Sequence, residues 1–332
     1  MTDLSRKRTA ELLENLAGKR VLVIGDVMLD RYLWGRVTRM SPEAPVPVVE
    51  VEREAICPGG AANVAANVLG LGARPVLIGL LGSDDDAGAA LRRNLEEMSL
   101  SSEGLLADRE RPTTVKTRII AHQQHVVRAD QEDRRPAAGE TAERIMQAVN
   151  EALPGADAVV LQDYNKGVLS ADVLAMILPL LHDSGLPVTV DPKFERFFDY
   201  RGVTVFKPNL QEVEMALSTH LEDEAGVEHA ARTLQERLAA ANVLITRGEK
   251  GMTLLAEDGR IDHVRTRARQ VYDVSGAGDT VIATLTAMLA AGADVREATS
   301  LANFAAGVVV GEVGAVPIEA EALMAAVDDD RR

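Results

Sequence analysis

Cysteine, aromatic residues and positive charge are all scarce in this 332-residue sequence. Cysteine occurs once, at Cys57, aromatics make up 3%, and 36 Lys and Arg face 51 Asp and Glu for a formal net charge of −15. A single cysteine excludes an intramolecular disulfide and points to a reducing compartment. The acidic balance argues against nucleic acid and anionic membranes as partners, since both require a basic face. Any anionic ligand must therefore meet a local cluster of cations. The opening MTDLSRKRTAELLENLAGKR lacks the apolar core of a signal peptide, and no run approaches membrane-spanning length. The expected location is the cytoplasm.

What is present is alternation. An amphipathic opening helix (Leu4, Leu12, Leu13, Leu16) precedes VLVIGD from Val21, a short apolar run of the buried parallel-strand type. PVLIGLLG, DAVVLQD, PVTVD, VTVFKPN and NVLITRG repeat that pattern. Segments of helical period lie between them at about 61–72, 86–98, 140–152, 171–184 and 224–241. MTLLAEDGRIDHVR reads as a hairpin, followed by Ala-rich helices at about 277–291 and 294–312. The fold class expected is α/β, a doubly wound, mainly parallel sheet flanked by helices. Two stretches break the rhythm, at about 31–55 and 111–130. The first holds RMSPEAPVPVVEVE, a strand-like run carrying Pro42, Pro45 and Pro47; the second alternates like a half-exposed hairpin. Both are assigned to a small β-sheet lid within one domain spanning 1–332.

The strongest chemical signal is DVSGAGDT, Asp273 to Thr280, directly ahead of the helix VIATLTAMLAAG. Gly276 and Gly278 let the chain turn tightly, and the helix aims unpaired N–H groups back into that turn, an anion hole. Asp279 either complements the helix dipole or acts as general base toward a hydroxyl. CPGGAANVAANVLGLGA from Cys57 places Gly59 and Gly60 before a second helix with Asn63 in its first turn, either for ligand approach or for close packing. FKPNLQEVE sets Asn209 and Glu212 one turn apart, as a capping box or as hard oxygen ligands around a magnesium–triphosphate. Thr246, Gly248 and Gly251 in TRGEKGM, and Asp30 in GDVMLD, fall at carboxyl ends of strands, where ligands bind in open α/β sheets. The Walker, dinucleotide and nucleophile-elbow patterns are absent, as are HExxH and paired CxxC, so a built-in zinc is not expected. Cys57 has no histidine nearby in sequence to make it a nucleophile.

PGGAANVAANVLGLGARPVLIGLLG and DVSGAGDT, in this order and separation, resemble the two signatures of the ribokinase-like (PfkB) sugar kinases, and the resemblance covers nearly the whole chain. It implies a catalytic base at Asp279 and an anion hole at Gly276, Ala277 and Gly278. It further implies ATP contacts at Asn209, Leu210, Gln211, Glu212, Thr246, Gly248, Gly251 and Asn303, with Glu212 reaching Mg2+ through water. Asp30, Gly59, Gly60 and Asn63 would clamp the sugar. Ala61-Ala62 stand where a ribose kinase has Lys-Gly, which disfavours ribose. GDVMLDRYLWGRVTRMSPEAPVPVVEVE, with DPKFERF, KPNLQEVE and EVGAV, is instead similar to kinases of the heptose branch of lipopolysaccharide synthesis. The implied reaction is ATP-dependent phosphorylation of D-glycero-β-D-manno-heptose 7-phosphate at O1, toward ADP-heptose. Some such kinases are fused to a nucleotidyltransferase; with no HxGH at its six histidines, this chain is expected to perform the kinase step alone.

Lys116, Arg118, Arg128, Lys166 and Lys193 are candidates for holding the sugar phosphate, with Arg118 and Lys193 preferred. Edge strands of a lid favour a homodimer. The sequence leaves open a monovalent cation beside the anion hole, another sugar or sugar-phosphate acceptor such as fructose 1-phosphate or a nucleoside, and a non-catalytic sugar- or nucleotide-binding regulator.

Overall fold

A computed structural model of the chain describes residues 5–122, 124–268, 271–312, 314 and 316–329. Its strands in chain order are β1 (Arg20–Gly25), β2 (Val27–Met40), β3 (Pro47–Gly60), β4 (Arg74–Gly82), β5 (Leu105–Asp108), β6 (Thr114–Ala121), β7 (Gln124–Gln131), β8 (Ala158–Gln162), β9 (Val188–Asp191), β10 (Val205–Phe206), β11 (Asn242–Thr246), β12 (Met252–Leu255) and β13 (Ile261–Val264). The helices are α1 (Arg6–Leu16), α2 (Ala61–Gly70), α3 (Asp86–Glu97), α4 (Gly139–Ala152), α5 (Ala171–Ser184), α6 (Leu210–Leu217), α7 (Glu224–Leu238), α8 (Ala277–Ala290), α9 (Val295–Val309) and α10 (Ala320–Asp329).

Among the described residues the main sheet has nine strands in the order β13-β12-β11-β10-β9-β8-β1-β4-β5. It is parallel from β5 to β11 and closes with the antiparallel β12 and β13. β1 explains why its strands read as continuous apolar runs. Val21 and Val23 enter the core built with α1, α2, α8, α9 and α10, while Leu22 and Ile24 enter the opposite core built with α4, α5 and α7. Both faces of the strand are dry, so each of these side chains contributes about 1.5–3 kcal/mol on burial.

β2 leaves the main sheet immediately after β1 and builds a second sheet of order β3-β2-β6-β7. β2 and β3 form one antiparallel arm, β6 and β7 another, and β2 joins them in parallel to β6. The proline-rich stretch is now explained. Pro42 and Pro45 occupy the turn, Pro47 opens β3, and β3 is the outer strand, where a missing N–H costs no ladder bond.

Some expectations needed correction. VTVFKPN yields only the two-residue β10, because Pro208 has no N–H with which to extend the ladder. β5 and the terminal α10 were not anticipated from periodicity. Leu4, and Val313 and Ala315 of EVGAV, lie outside the described residues. Among the described residues, no helix is long and apolar enough to cross a membrane.

Candidate active site

The carboxyl ends of β1, β8 and β9 and the start of α8 meet beneath the second sheet. Gly276 is the N-cap of α8 at φ +79°, a left-handed conformation that a side chain would strain, and no side chain caps the helix. Its first-turn N–H groups therefore have no capping side chain. A Cβ added at Gly278 would lie 3.8 Å from Lys207 Nζ and 3.9 Å from Asp191 Oδ2. Lys207 Nζ in turn pairs with Asp191 Oδ2 at 3.0 Å, so the turn opens onto a buried ion pair.

Asp279 follows in the first turn, 3% exposed. Its Oδ2 accepts from Asn63 Nδ2 at 2.8 Å, and its Oδ1 accepts from Tyr164 Oη at 2.7 Å and Gln162 Nε2 at 3.0 Å. Burial pushes this carboxyl up to about 6; the Asn63 and Tyr164 hydrogen bonds oppose the shift, and the Asp191 charge adds to it. Three neutral donors thus aim a carboxylate of raised basicity at the mouth of an uncapped helix. Such a group can accept a proton from a hydroxyl near neutral pH.

Gln162 and Tyr164 were missed in the sequence, although Gln162 lies in the apolar run DAVVLQD and Tyr164 directly follows it, at the carboxyl end of β8. Asp26 holds their loop in place: its buried carboxylate accepts from the backbone N–H groups of Tyr164, Lys166 and Val168 at 2.8, 2.9 and 3.0 Å. Asp163 turns the other way and accepts from Tyr200 Oη at 2.6 Å. Burial, and then the Asp26 charge, raise Asp163 to about 7.

In the lid sheet, Asp30 pairs with Arg118 Nη1 at 2.6 Å, both largely buried. Gly59 lies under that carboxylate; a Cβ there would come within 2.8 Å of Asp30 Oδ2. Gly60, at φ +59°, packs against the Asp26 carbonyl, which leaves no room for a side chain. The close-packing reading of the two glycines therefore holds locally. Asn63, expected in the sugar clamp, instead directs its amide to Asp279, and Asn67 Nδ2 fixes it by bonding Asn63 O at 2.8 Å and Asn63 Oδ1 at 3.2 Å.

Lys193 reaches the Glu212 carboxylate and also lies 5.4 Å from the Tyr164 ring centroid. Asn209 and Glu212 form a full capping box at the start of α6. Thr246 bridges to Asn209 and donates its N–H to Pro208 O at 3.0 Å. Gly248 starts the short turn beyond β11, and Gly251 packs on the Val264 carbonyl. Leu210 and Arg247 border a cleft of about 740 Å³ that Arg265 and Thr266 close. Asn303 gives its amide to Arg265 O at 2.7 Å and so shapes the cleft wall from α9, while Gln211 is exposed. Among the described residues, no cluster of three or more His, Cys, Asp or Glu is placed to hold a metal. The buried Glu212 carboxylate is engaged by Lys193 and by the Asn209 N–H, so it fits only a magnesium ion that keeps its waters, meets this group through one of them and takes most ligands from a nucleotide.

Two glycine turns meeting at a buried carboxylate under a β-sheet lid define a sugar-kinase architecture, and the chain belongs to the pfkB family of carbohydrate kinases. The model of that family, pfkB family carbohydrate kinase, matches residues 19–321. The bifunctional protein HldE of Syntrophotalea carbinolica is 42% identical over 320 residues, covering 96% of this chain and 65% of that protein. HldE of Caulobacter sp. (strain K31) is 46% identical over 316 residues, covering 95% and 64%. The chain thus spans about two thirds of the length of these relatives. Arabidopsis thaliana ribokinase, solved with ribose and ATP, shares the fold at TM-score 0.75 and 18% identity, over 94% of this chain and 99% of that one.

Proposed function

We propose that the chain transfers the γ-phosphoryl group of ATP to O1 of D-glycero-β-D-manno-heptose 7-phosphate, a step toward ADP-heptose. The observation that carries this reading is Asp279: buried, raised to about 6, held by three neutral donors and set at the uncapped start of α8. Family membership and 42–46% identity to HldE support the choice of a heptose phosphate over other acceptors.

In this mechanism Asp279 accepts the O1 proton as the phosphoryl group arrives in line. The N–H groups of the Gly276–Gly278 turn stabilise charge developing on the transferring oxygens. Asn63, Gln162 and Tyr164 orient the carboxylate, and the Lys207–Asp191 pair floors the site. Magnesium, when bound with the nucleotide, neutralises phosphate charge beside Glu212. Asn209, Leu210, Gln211, Thr246, Gly248, Gly251 and Asn303 surround the nucleotide, with Asp30, Gly59 and Gly60 at the sugar. The lid sheet excludes water from the reacting groups.

The lid also carries the homodimer we propose. Cross-strand register puts Leu33, Ile119 and Val127 on one of its faces, with Val37 opposite Val49 and Gly35 opposite Val51. Val51 and Val127 are 53% and 51% exposed, an apolar surface suited to a second copy. Light scattering at micromolar concentration should give twice the chain mass; a monomer would refute the dimer.

Asp279→Asn tests the mechanism. ADP release with heptose 7-phosphate should fall by roughly 10³-fold or more while the fold is retained. Near-wild-type turnover would remove Asp279 from the role of base.

A further inference from the structure

In a chain this acidic, a cation facing the site without a carboxylate is an exception. Arg118 is committed to Asp30, Arg128 to Asp130, Lys166 to Glu132 and Lys193 to Glu212. Lys116 differs: among the described residues no carboxylate lies within ion-pair distance of it. It is half-buried, and its Nζ sits 5.6 Å from the Tyr164 ring centroid. Tyr164 in turn holds Asp279 at 2.7 Å, so the ammonium borders the site across the Tyr164 ring.

Its place in the lid says which substrate it meets. Lys116 lies opposite Asp30 in the β2–β6 register and opposite Asp130 in the β6–β7 register, two residues before Arg118 on the same strand face. Lys193 approaches the same Tyr164 ring but is bound to Glu212 at the start of α6, the end proposed for the nucleotide. One ammonium therefore comes from lid strand β6 and one from the segment after β9. A half-buried ammonium without a close ion-pair partner is costly unless a ligand supplies one. Burial, and then repulsion from Lys166, push the Lys116 pKa down against the weaker attraction of Asp30 and Asp130, and an arriving dianion would reverse that shift.

We infer that Lys116 is the specificity residue for the acceptor's own phosphate, receiving the phosphate ester of a sugar phosphate when the lid closes over it. The inference rests on the proposed function and moves the main phosphate contact from the expected Arg118 and Lys193, which the structure holds in ion pairs. Arg118 then acts by fixing Asp30 beneath the sugar.

Steady-state kinetics with heptose 7-phosphate and with unphosphorylated heptose test it. Wild type should prefer the phosphorylated acceptor. Lys116→Met should lower the ratio of kcat/KM for the two acceptors by roughly 10- to 100-fold, the worth of one charge-assisted hydrogen bond, with the KM for ATP unmoved. Lys116→Arg, which keeps the charge, should retain most of the ratio, and Lys116→Gln, polar and uncharged, serves as the test if Lys116→Met fails to fold. An unchanged ratio in the uncharged variant, with wild-type preference intact, overturns the inference alone. A raised KM for ATP at constant ratio also overturns it, by assigning Lys116 to the nucleotide. A wild-type enzyme without preference for the phosphorylated sugar would sink the proposed function itself, and the inference with it.

Discussion

Asp279 is held at a cost to stability, and that cost can be measured separately from catalysis. In the unfolded chain its carboxyl titrates near 3.8; in the folded protein burial raises it to about 6. Below the lower value both states are protonated and the group has no pH-dependent effect. Between the two values the unfolded chain has released its proton while the folded protein retains it, so each step up in pH favours unfolding. Above about 6 the penalty is complete. A shift of about two units corresponds to about 3 kcal/mol, or about 4 °C in Tm for a chain of this length. Asn at this position does not titrate. Its amide also meets donors from Asn63, Tyr164 and Gln162, but that mismatch is the same at every pH. The Tm of Asp279→Asn minus that of wild type should therefore climb by about 4 °C between about pH 4 and pH 7, whatever its starting value. Asp26 and Asp163 are present in both proteins and drop out of the difference. Calorimetry across that range would refute the reasoning if the difference stayed flat or fell.

Three other substitutions probe separate parts of the site. Gly278→Ala should fold normally, since its Cβ meets nothing closer than 3.8 Å, yet lose roughly 10²-fold in kcat by crowding the phosphate space; turnover within twofold of wild type would argue against the anion hole. Tyr164→Phe removes a donor to the Asp279 carboxylate, so the acidic limb of the pH–rate profile should move to higher pH, and a shift to lower pH would contradict the assigned role. Arg118→Ala strands the buried Asp30 carboxylate and should destabilise by about 3 kcal/mol in denaturant titration, whereas removing both partners should cost less.

Much of this arrangement was legible in the sequence because backbone needs dictate residue type. Gly276 at positive φ and the apolar runs buried on both faces leave direct marks, and so do the prolines at a sheet edge. Less legible was how polar side chains divide their hydrogen bonds. Asn63 lies beside the glycines of the sugar turn in sequence but serves Asp279, and Gln162 and Tyr164 come to the same carboxylate from over a hundred residues away. Lys116 and Arg118 look alike on one strand; only the cross-strand register and the ion-pair distances separate them. β5 was missed because four residues at an edge leave too short a pattern to read.

The central claim is the acceptor. Initial rates of ATP-dependent ADP release should be compared for heptose 7-phosphate, fructose 1-phosphate, a nucleoside, ribose and unphosphorylated heptose, with 31P NMR of the product. The expected result is the highest kcat/KM for heptose 7-phosphate and a new phosphate on its anomeric carbon. Equal or greater efficiency with another acceptor, or ADP release without a sugar 1-phosphate product, would contradict it.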